Sequence, residues 1–371
     1  MRRRMFGSVI GQPASGGGTF PAAFSAWSAR IKITILASQI GSDLTDFPVY
    51  VDLRTLPASF FTTVNSDGGD IRVTKADGET EVPREVVDID VGGESGELHF
   101  LADGTLSSST DTDFYIYYGN NAESDYAADA TYGAEKVWKS FAFVSHSGGG
   151  QDSVSGITGS AFGSVVVGGA ASPIGSATYY NGVDRMMAFE PTISLSGGST
   201  CYVSMWLRPD QYQPNRIAGR FQNLKPFSWL DDVTNDQFSC SVTDVGTMHV
   251  LTTGGNTGPN SSGIDVTDNN FHLVYLLFDQ GNDTVEIYVD DILDYSNYSY
   301  TDNSTIGLST SRLYIGADIN ETKDGVGEQY AGRVAEVRIR KAPLSAGWRS
   351  AEYENQNSPN TFYSVGTPEI N

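Results

Sequence analysis

Polar and apolar residues alternate from Arg30 onward. In Ile31-Lys32-Ile33-Thr34-Ile35 the isoleucines fall on one side of an extended chain and Lys32 and Thr34 on the other, the period-two pattern of a half-buried strand. Short runs of the same kind recur at Phe47–Leu53, Asp70–Thr74, Val82–Val87, Glu97–Leu101 and Phe114–Tyr118. Turn-forming clusters separate them: Asn65-Ser66-Asp67-Gly68-Gly69-Asp70, Ala76-Asp77-Gly78-Glu79 and Gly92-Gly93-Glu94. Six strands at this spacing predict a small antiparallel β-sandwich over residues 30–121. The polar, Ala-rich stretch 122–136 then reads as a linker.

A longer series of strands follows over residues 137–371. The clearest are Cys201–Leu207, Phe238–Val242, Met248–Thr252, Phe271–Asp279, Thr284–Asp290, Arg312–Gly316 and Arg333–Arg340. Gln280-Gly281-Asn282-Asp283 supplies hairpin turn chemistry between two of them. Ser345 is placed to cap one short helix carrying Trp348, Ala351 and Glu352, which must stop before Pro359. The fold class is therefore all-β, a small sandwich followed by a two-sheet jelly roll with one short C-terminal helix.

Residues 1–29 break the alternation. They are rich in Gly, Ser, Ala and Pro, yet they carry Arg2, Arg3 and Arg4 and the aromatics Phe6, Phe20, Phe24 and Trp27. A free linker has little use for four large aromatics, so this segment is expected to be an arm that docks on another subunit. Met5 to Ile10 is interrupted by Gly7 and Ser8, which predicts no export signal. No window reaches the roughly 18 apolar residues of a spanning helix.

Composition narrows the partners. The 371 residues hold 45 acidic and 23 basic side chains, a formal charge of −22, which disfavours nucleic acid and anionic membrane. The three arginines at the start lie in the arm, so the β-domains are more acidic than the total suggests. Cys201 and Cys240 are too few for a disulfide framework. They read as two buried thiols, or as a bridge if two strands of one sheet bring them together.

Two resemblances enter here. Asp46-Phe47-Pro48-Val49-Tyr50-Val51-Asp52-Leu53, Asp67-Gly68-Gly69-Asp70-Ile71-Arg72-Val73 and Phe114-Tyr115-Ile116-Tyr117-Tyr118-Gly119-Asn120 resemble an uncharacterised β-domain family. It occurs in bacterial, archaeal and phage surface proteins, commonly just upstream of a lectin-like module. The remainder resembles the laminin-G-like, concanavalin-A-like jelly-roll superfamily. Tyr180-Asn181-Gly182-Val183-Asp184, Val203-Ser204-Met205-Trp206-Leu207, Ile287-Tyr288-Val289-Asp290 and Tyr330-Ala331-Gly332-Arg333-Val334-Ala335-Glu336-Val337-Arg338-Ile339 carry that likeness. The superfamily includes glycan binders, protein binders and hydrolases, so the resemblance implies a fold and leaves the function open.

No catalytic set is expected. A retaining glycosidase needs two carboxylates about 5–5.5 Å apart, and Glu286 and Asp290, four apart on one strand, are separated by roughly 13 Å. His99, His146, His249 and His272 occur singly, without a nucleophile elbow. No cofactor is required, and calcium is the one ion worth weighing. The resemblance implies a loop-rim site, for which Asp184, Asp318, Asn320, Asp324 and Glu328 offer oxygens; the alternative is an ordinary acidic surface loop. Glycan recognition would fall to Tyr212, Trp229, Tyr298 and Tyr300 stacking on sugar faces, with plain strand packing as the alternative.

These readings lead to a non-enzymatic virion surface protein of a phage, a capsid decoration, fibre or tail component made in the host cytoplasm. The arm would attach it to a capsid or tail protein, and the jelly roll would face outward to a cell-surface glycan. Membrane insertion is not expected, and self-association into a homo-oligomer is left open. The competing expectation is a secreted or cell-envelope adhesin or glycoside hydrolase acting on polysaccharide.

Overall fold

The computed structural model describes residues 19–190, 200–210, 224–231, 237–243, 246–252, 263–279, 282, 284–297, 311–319, 326–340, 342 and 344–371. The first unit is built from β1 (Ala29–Ile35), β2 (Leu44–Asp52), β3 (Arg72–Lys75), β4 (Glu81–Val82), β5 (Arg84–Asp90), β6 (Ser95–Leu106) and β7 (Thr112–Tyr118). Strict alternation in β1 buries Ala29, Ile31, Ile33 and Ile35 and leaves Arg30, Lys32 and Thr34 half-buried. Two antiparallel sheets result, one containing β1-β7-β3-β4 and the other β2-β6-β5. Their facing side chains, among them Val49, Val51, Leu98, Phe100, Ile116 and Phe114, form one core.

The second unit contains β8 (Phe141–Ser145), β9 (Ser160–Phe162), β10 (Ala170–Ala171), β11 (Ser176–Asn181), β12 (Met186–Phe189) and β13 (Thr200–Pro209). It continues with β14 (Leu224–Asp231), β15 (Gln237–Val242), β16 (Met248–Thr252), β17 (His272–Asp279), β18 (Thr284–Val289) and β19 (Ile292–Asn297). It closes with β20 (Ser311–Ile315), β21 (Ala317–Ile319), β22 (Val326–Gln329) and β23 (Ala331–Arg340). One sheet runs β10-β11-β23-β13-β17-β18-β19 with β8 added on β23, and the other runs β16-β15-β14-β20-β12-β9 with β21 and β22 at its side. Met205, Leu207, Val274, Leu276 and Ile339 meet Phe227, Trp229, Cys240 and Leu313 between them. This is the jelly roll expected from the strand pattern. Cys201 on β13 and Cys240 on β15 belong to opposite sheets and remain buried thiols rather than a bridge.

Three boundaries differ from the sequence expectation. Phe20, Phe24 and Trp27, assigned to a docking arm, are buried in the first unit: Phe24 stacks on Tyr117 at 4.3 Å between ring centroids, and the Trp27 indole N–H donates to the Asp70 carbonyl at 2.7 Å. These aromatics satisfy their own domain, so the docking assignment fails for them; Arg2, Arg3, Arg4 and Phe6 lie outside the described residues. The stretch read as a linker is strapped down instead. Buried Arg72 reaches Glu123 at 3.1 Å beneath the Tyr126 ring, and buried Arg84 pairs with Asp125.

The third difference lies at the C-terminus, which leaves the jelly roll and returns to the first unit. The short segments α1 (Ala58–Phe61) and α2 (Ala134–Val137) precede the long helix α3 (Ala346–Asn357), which is followed by α4 (Pro359–Phe362). The Ser345 hydroxyl caps α3 by accepting from the Trp348 N–H at 3.1 Å, as its sequence position predicted. Beyond α4, β24 (Tyr363–Val365) and β25 (Glu369–Ile370) both pair with β1. Helix α3 is thereby wedged between the units. Trp348 and Ala351 join the first core, while Glu352 and Gln356 reach Arg338 and Trp206 of the jelly roll.

Candidate functional site

The outer face of the β2-β6-β5 sheet is polar because alternation sends Leu98 and Phe100 inward and Glu97 and His99 outward. Register then builds two rows across the strands. Tyr50, His99 and Glu85 are direct neighbours, and so are Asp52, Glu97 and Asp88. Three carboxylates in adjacent cross-strand positions repel one another, which favours cations beside the row.

The jelly roll supplies one of them at a break in its own sheet. Strand β23 is paired by β11 through Val334 and by β8 from Val337 onward, and between them Glu336 forms a bulge opposite β13. Its φ of +51° is rare for a residue with a side chain and marks local strain. The bulge turns the Glu336 carboxylate toward His146, which follows β8, and the Glu336 N–H donates to the His146 carbonyl at 2.8 Å. Bulges redirect side chains in this way where strands change partners.

The rows and the bulge converge in a buried cluster. His146 Nδ1 lies 3.0 Å from Glu336 Oε1 and 3.3 Å from Glu97 Oε1, and its Nε2 lies 3.1 Å from Glu85 Oε2. His99 Nε2 lies 2.8 Å from Glu97 Oε1, and the two imidazoles stack with centroids 4.8 Å apart. Around them, Trp138 and Ser153 donate to Glu85 at 2.5 Å and 2.7 Å. Arg338 binds Glu336 at 2.7 Å and Glu352 at 2.8 Å.

Electrostatics follow from the contacts. Burial opposes a charge on His146, but the carboxylates of Glu336 and Glu85 outweigh it and hold the imidazole well above its ordinary value. Burial pushes Glu97 up, yet the hydrogen bonds from His146 and His99 prevail and keep it below the usual carboxylate range. His99 moves the other way: burial lowers it, only partly offset by Glu97. Glu352 is raised by burial despite Arg338.

A cleft of 390 Å³ opens above this cluster between the two units. Glu97 and His146 form part of its lining, with Asp52, Arg54 and Asp88 from the first unit and Ser147 and Ser176 from the jelly roll. The Arg54 guanidinium grips Asp52 through Nε–Oδ1 and Nη2–Oδ2 contacts of 2.9 Å each. Gly175 permits the close approach of the units: with φ at +53°, any Cβ there would fall 1.8 Å from Glu97 Oε2. Volume and position between domains are those of a small-ligand site, and the lining is more polar than is usual for one.

The residues singled out from sequence lie elsewhere. Trp229 is 0% exposed in the jelly-roll core and has no face to offer a sugar. Burial of an aromatic in a central strand, the packing alternative, explains it. Tyr212, Tyr298 and Tyr300 fall outside the described residues, as do Asn320 and Asp324. Asp184 is exposed and accepts from Asn181 Nδ2 at 2.8 Å, while Asp318 and Glu328 sit on β21 and β22. The cluster itself was missed, since its histidines looked solitary in the chain. One signal was present, the Glu97-Leu98-His99 and Glu336-Val337-Arg338 alternations, which put charge on one face of apolar strands.

Comparison with known proteins places the second unit. Residues 181–348 match the family described as the concanavalin A-like lectin/glucanases superfamily, in its laminin G form; this unit is a concanavalin A-like, laminin G-like domain. Solved structures with a similar chain path include the receptor-binding domain of botulinum neurotoxin D, with 12% identity, TM-score 0.44 and coverage of 58% of this chain and 53% of that one. Domain 4 of AbnA, an extracellular arabinanase of Geobacillus stearothermophilus in complex with arabinotriose, gives 14%, 0.44, 57% and 97%. The binding domain of Paraclostridial Mosquitocidal Protein 1 gives 13%, 0.45, 58% and 51%. The match thus spans about half the length of the two toxin domains. No curated protein matches the chain. Among the described residues, no helix is long and apolar enough to cross a membrane.

Proposed function

We propose that this protein is a non-enzymatic glycan-recognition module of a phage virion surface, and that the glycan sits in the cleft between its two units. One observation carries the reading: a lectin-superfamily jelly roll adjoins a cleft lined by carboxylates, a guanidinium and serine hydroxyls. That donor and acceptor set suits a ligand rich in hydroxyls. Phe162 on the edge strand β9, 46% exposed, offers an aromatic face on the jelly roll. The virion setting rests on the acidic body and on the likeness of residues 30–121 to a domain of phage and prokaryotic surface proteins.

The test is a glycan array probed with the full chain, followed by calorimetry on any hit. No hit, or hits that compete with nothing in the cleft, sinks the assignment. Mass spectrometry of purified particles must find the chain as a structural component if the virion setting is right.

Hydrolysis is the second reading, because Asp52, Glu97 and Asp88 adjoin across strands at a spacing like that of a retaining pair. Against it, a glycosidase needs an acid that keeps its proton near neutral pH. Glu97 is held below the usual carboxylate range by hydrogen bonds from two imidazoles. Reducing-sugar release from polysaccharides by the wild-type chain would overturn the binding-only reading.

A further inference from the structure

We propose that Glu97, His99, His146 and Glu336 form a binding site for a zinc-class divalent metal ion at the junction of the two units. Their ligating atoms all lie within 4.8 Å of one another, and all four residues are buried. Tetrahedral zinc at about 2.0–2.1 Å from nitrogen and oxygen requires donors separated by roughly 3.3 Å. The observed separations of 2.8, 3.0 and 3.3 Å around His146, His99, Glu97 and Glu336 lie at or just below that value, and the other donor pairs stay within 4.8 Å. Two imidazoles with two carboxylates select zinc or its neighbours over calcium or magnesium, which prefer all-oxygen shells.

Two further features agree. Glu85 faces His146 Nε2 at 3.1 Å, opposite the Nδ1 that would ligate, the carboxylate–histidine–metal relay that orients a ligating ring. Arg338 fixes Glu336 at 2.7 Å in the same supporting role.

Charge points the same way. Three buried carboxylates, Glu97, Glu336 and Glu352, and the half-buried Glu85 face Arg338 and His146, leaving negative charge in a low-dielectric interior, which is costly. A divalent ion would neutralise the excess. An entry path exists, because Glu97 and His146 line the cleft. The ion would tie the first unit, through Glu97 and His99, to the jelly roll, through His146 and Glu336. This inference does not depend on glycan binding and fails separately from it.

The test uses the full chain stripped with chelator and titrated with Zn²⁺ and Co²⁺. One equivalent should bind per chain, raise the melting temperature, and give the Co²⁺ ligand-field bands of low-coordinate nitrogen and oxygen ligation. His99→Gln and His146→Gln should each weaken Zn²⁺ by at least about 100-fold, and Glu85→Gln by about 10- to 100-fold. His272→Gln, remote from the cluster, should bind as wild type. Should a cluster variant fail to fold, the stoichiometry and Co²⁺ spectrum of the wild type decide alone. Absence of stoichiometric binding in the wild type, or wild-type affinity in folded His99→Gln, overturns the proposal.

Discussion

Asn355 on α3 completes the edge of β2 at Tyr50: its Oδ1 accepts from the Tyr50 N–H at 2.8 Å, and its Nδ2 donates to the Tyr50 carbonyl at 2.9 Å. One side chain thus does the work of a neighbouring strand on a buried sheet edge. Replacing it by alanine strands a buried donor and a buried acceptor, each worth about 1–3 kcal/mol. Asn355→Ala should lower the unfolding free energy by about 2–4 kcal/mol in urea denaturation. Asn355→Asp keeps the acceptor and should fall between the two.

Phe24 is packed on Tyr117 and Trp27, and its removal should cost about 3 kcal/mol, as large-to-small changes in a core do. Phe24→Ala is expected to lower the melting temperature of the isolated chain. If this segment instead served only to dock on another subunit, the isolated variant would melt with the wild type.

Gly175 combines a left-handed backbone with the contact to Glu97. An alanine there meets a conformational cost of about 1–2 kcal/mol and must also push a buried carboxylate off His99 and His146. Gly175→Ala should lose more than about 2 kcal/mol, read in the same denaturation experiment. A loss under about 1 kcal/mol would show that the units can separate slightly at no cost.

How much of this was legible follows from range. The Ile31-Lys32-Ile33 alternation and the Ser345 cap depend on neighbours within a turn or a strand, and the chain displays them. The return of β24 and β25 to β1 joins residues more than 300 positions apart, such as Ile35 and Tyr363, and no local pattern encodes it. His99 and His146 were readable as residues but not as partners. They meet only because the outer face of one sheet, which alternation alone assigns to solvent, is covered by a second unit. Trp229 failed as a site residue for a related reason: an aromatic near polar residues in sequence reads the same whether its strand is central or at a rim.

His272 gives the jelly roll a pH dependence. Its Nδ1 lies 2.7 Å from Asp290 and its Nε2 3.0 Å from Asp268, and those hydrogen bonds, led by Asp290, raise it to about 8 against an opposing burial effect. The folded state therefore binds this proton more tightly than the unfolded chain, whose imidazole titrates near 6.5. The stabilisation is complete below about pH 6.5 and is lost as pH rises through about 8. With screening at a partly exposed site it amounts to about 1 kcal/mol. Denaturation at about pH 6 and about pH 9 should show this difference in the wild type and a smaller one in His272→Gln.

Arg54 separates binding from folding. Its side chain is 59% exposed where it grips Asp52, and an exposed pair contributes about 0–1 kcal/mol to stability, so Arg54→Ala should scarcely move the melting temperature. A hydrogen bond from a guanidinium to a ligand is worth about 1.5–3 kcal/mol, so the same change should weaken a cleft-bound glycan by roughly 10- to 100-fold. Asp88→Asn, on the other side of Glu97, should also weaken binding by removing the charge and replacing one acceptor oxygen with an amide donor. Calorimetry with the array hit checks both. If the two variants bind as wild type does, the ligand sits elsewhere on the jelly roll, and the exposed Phe162 on β9 becomes the residue to replace next.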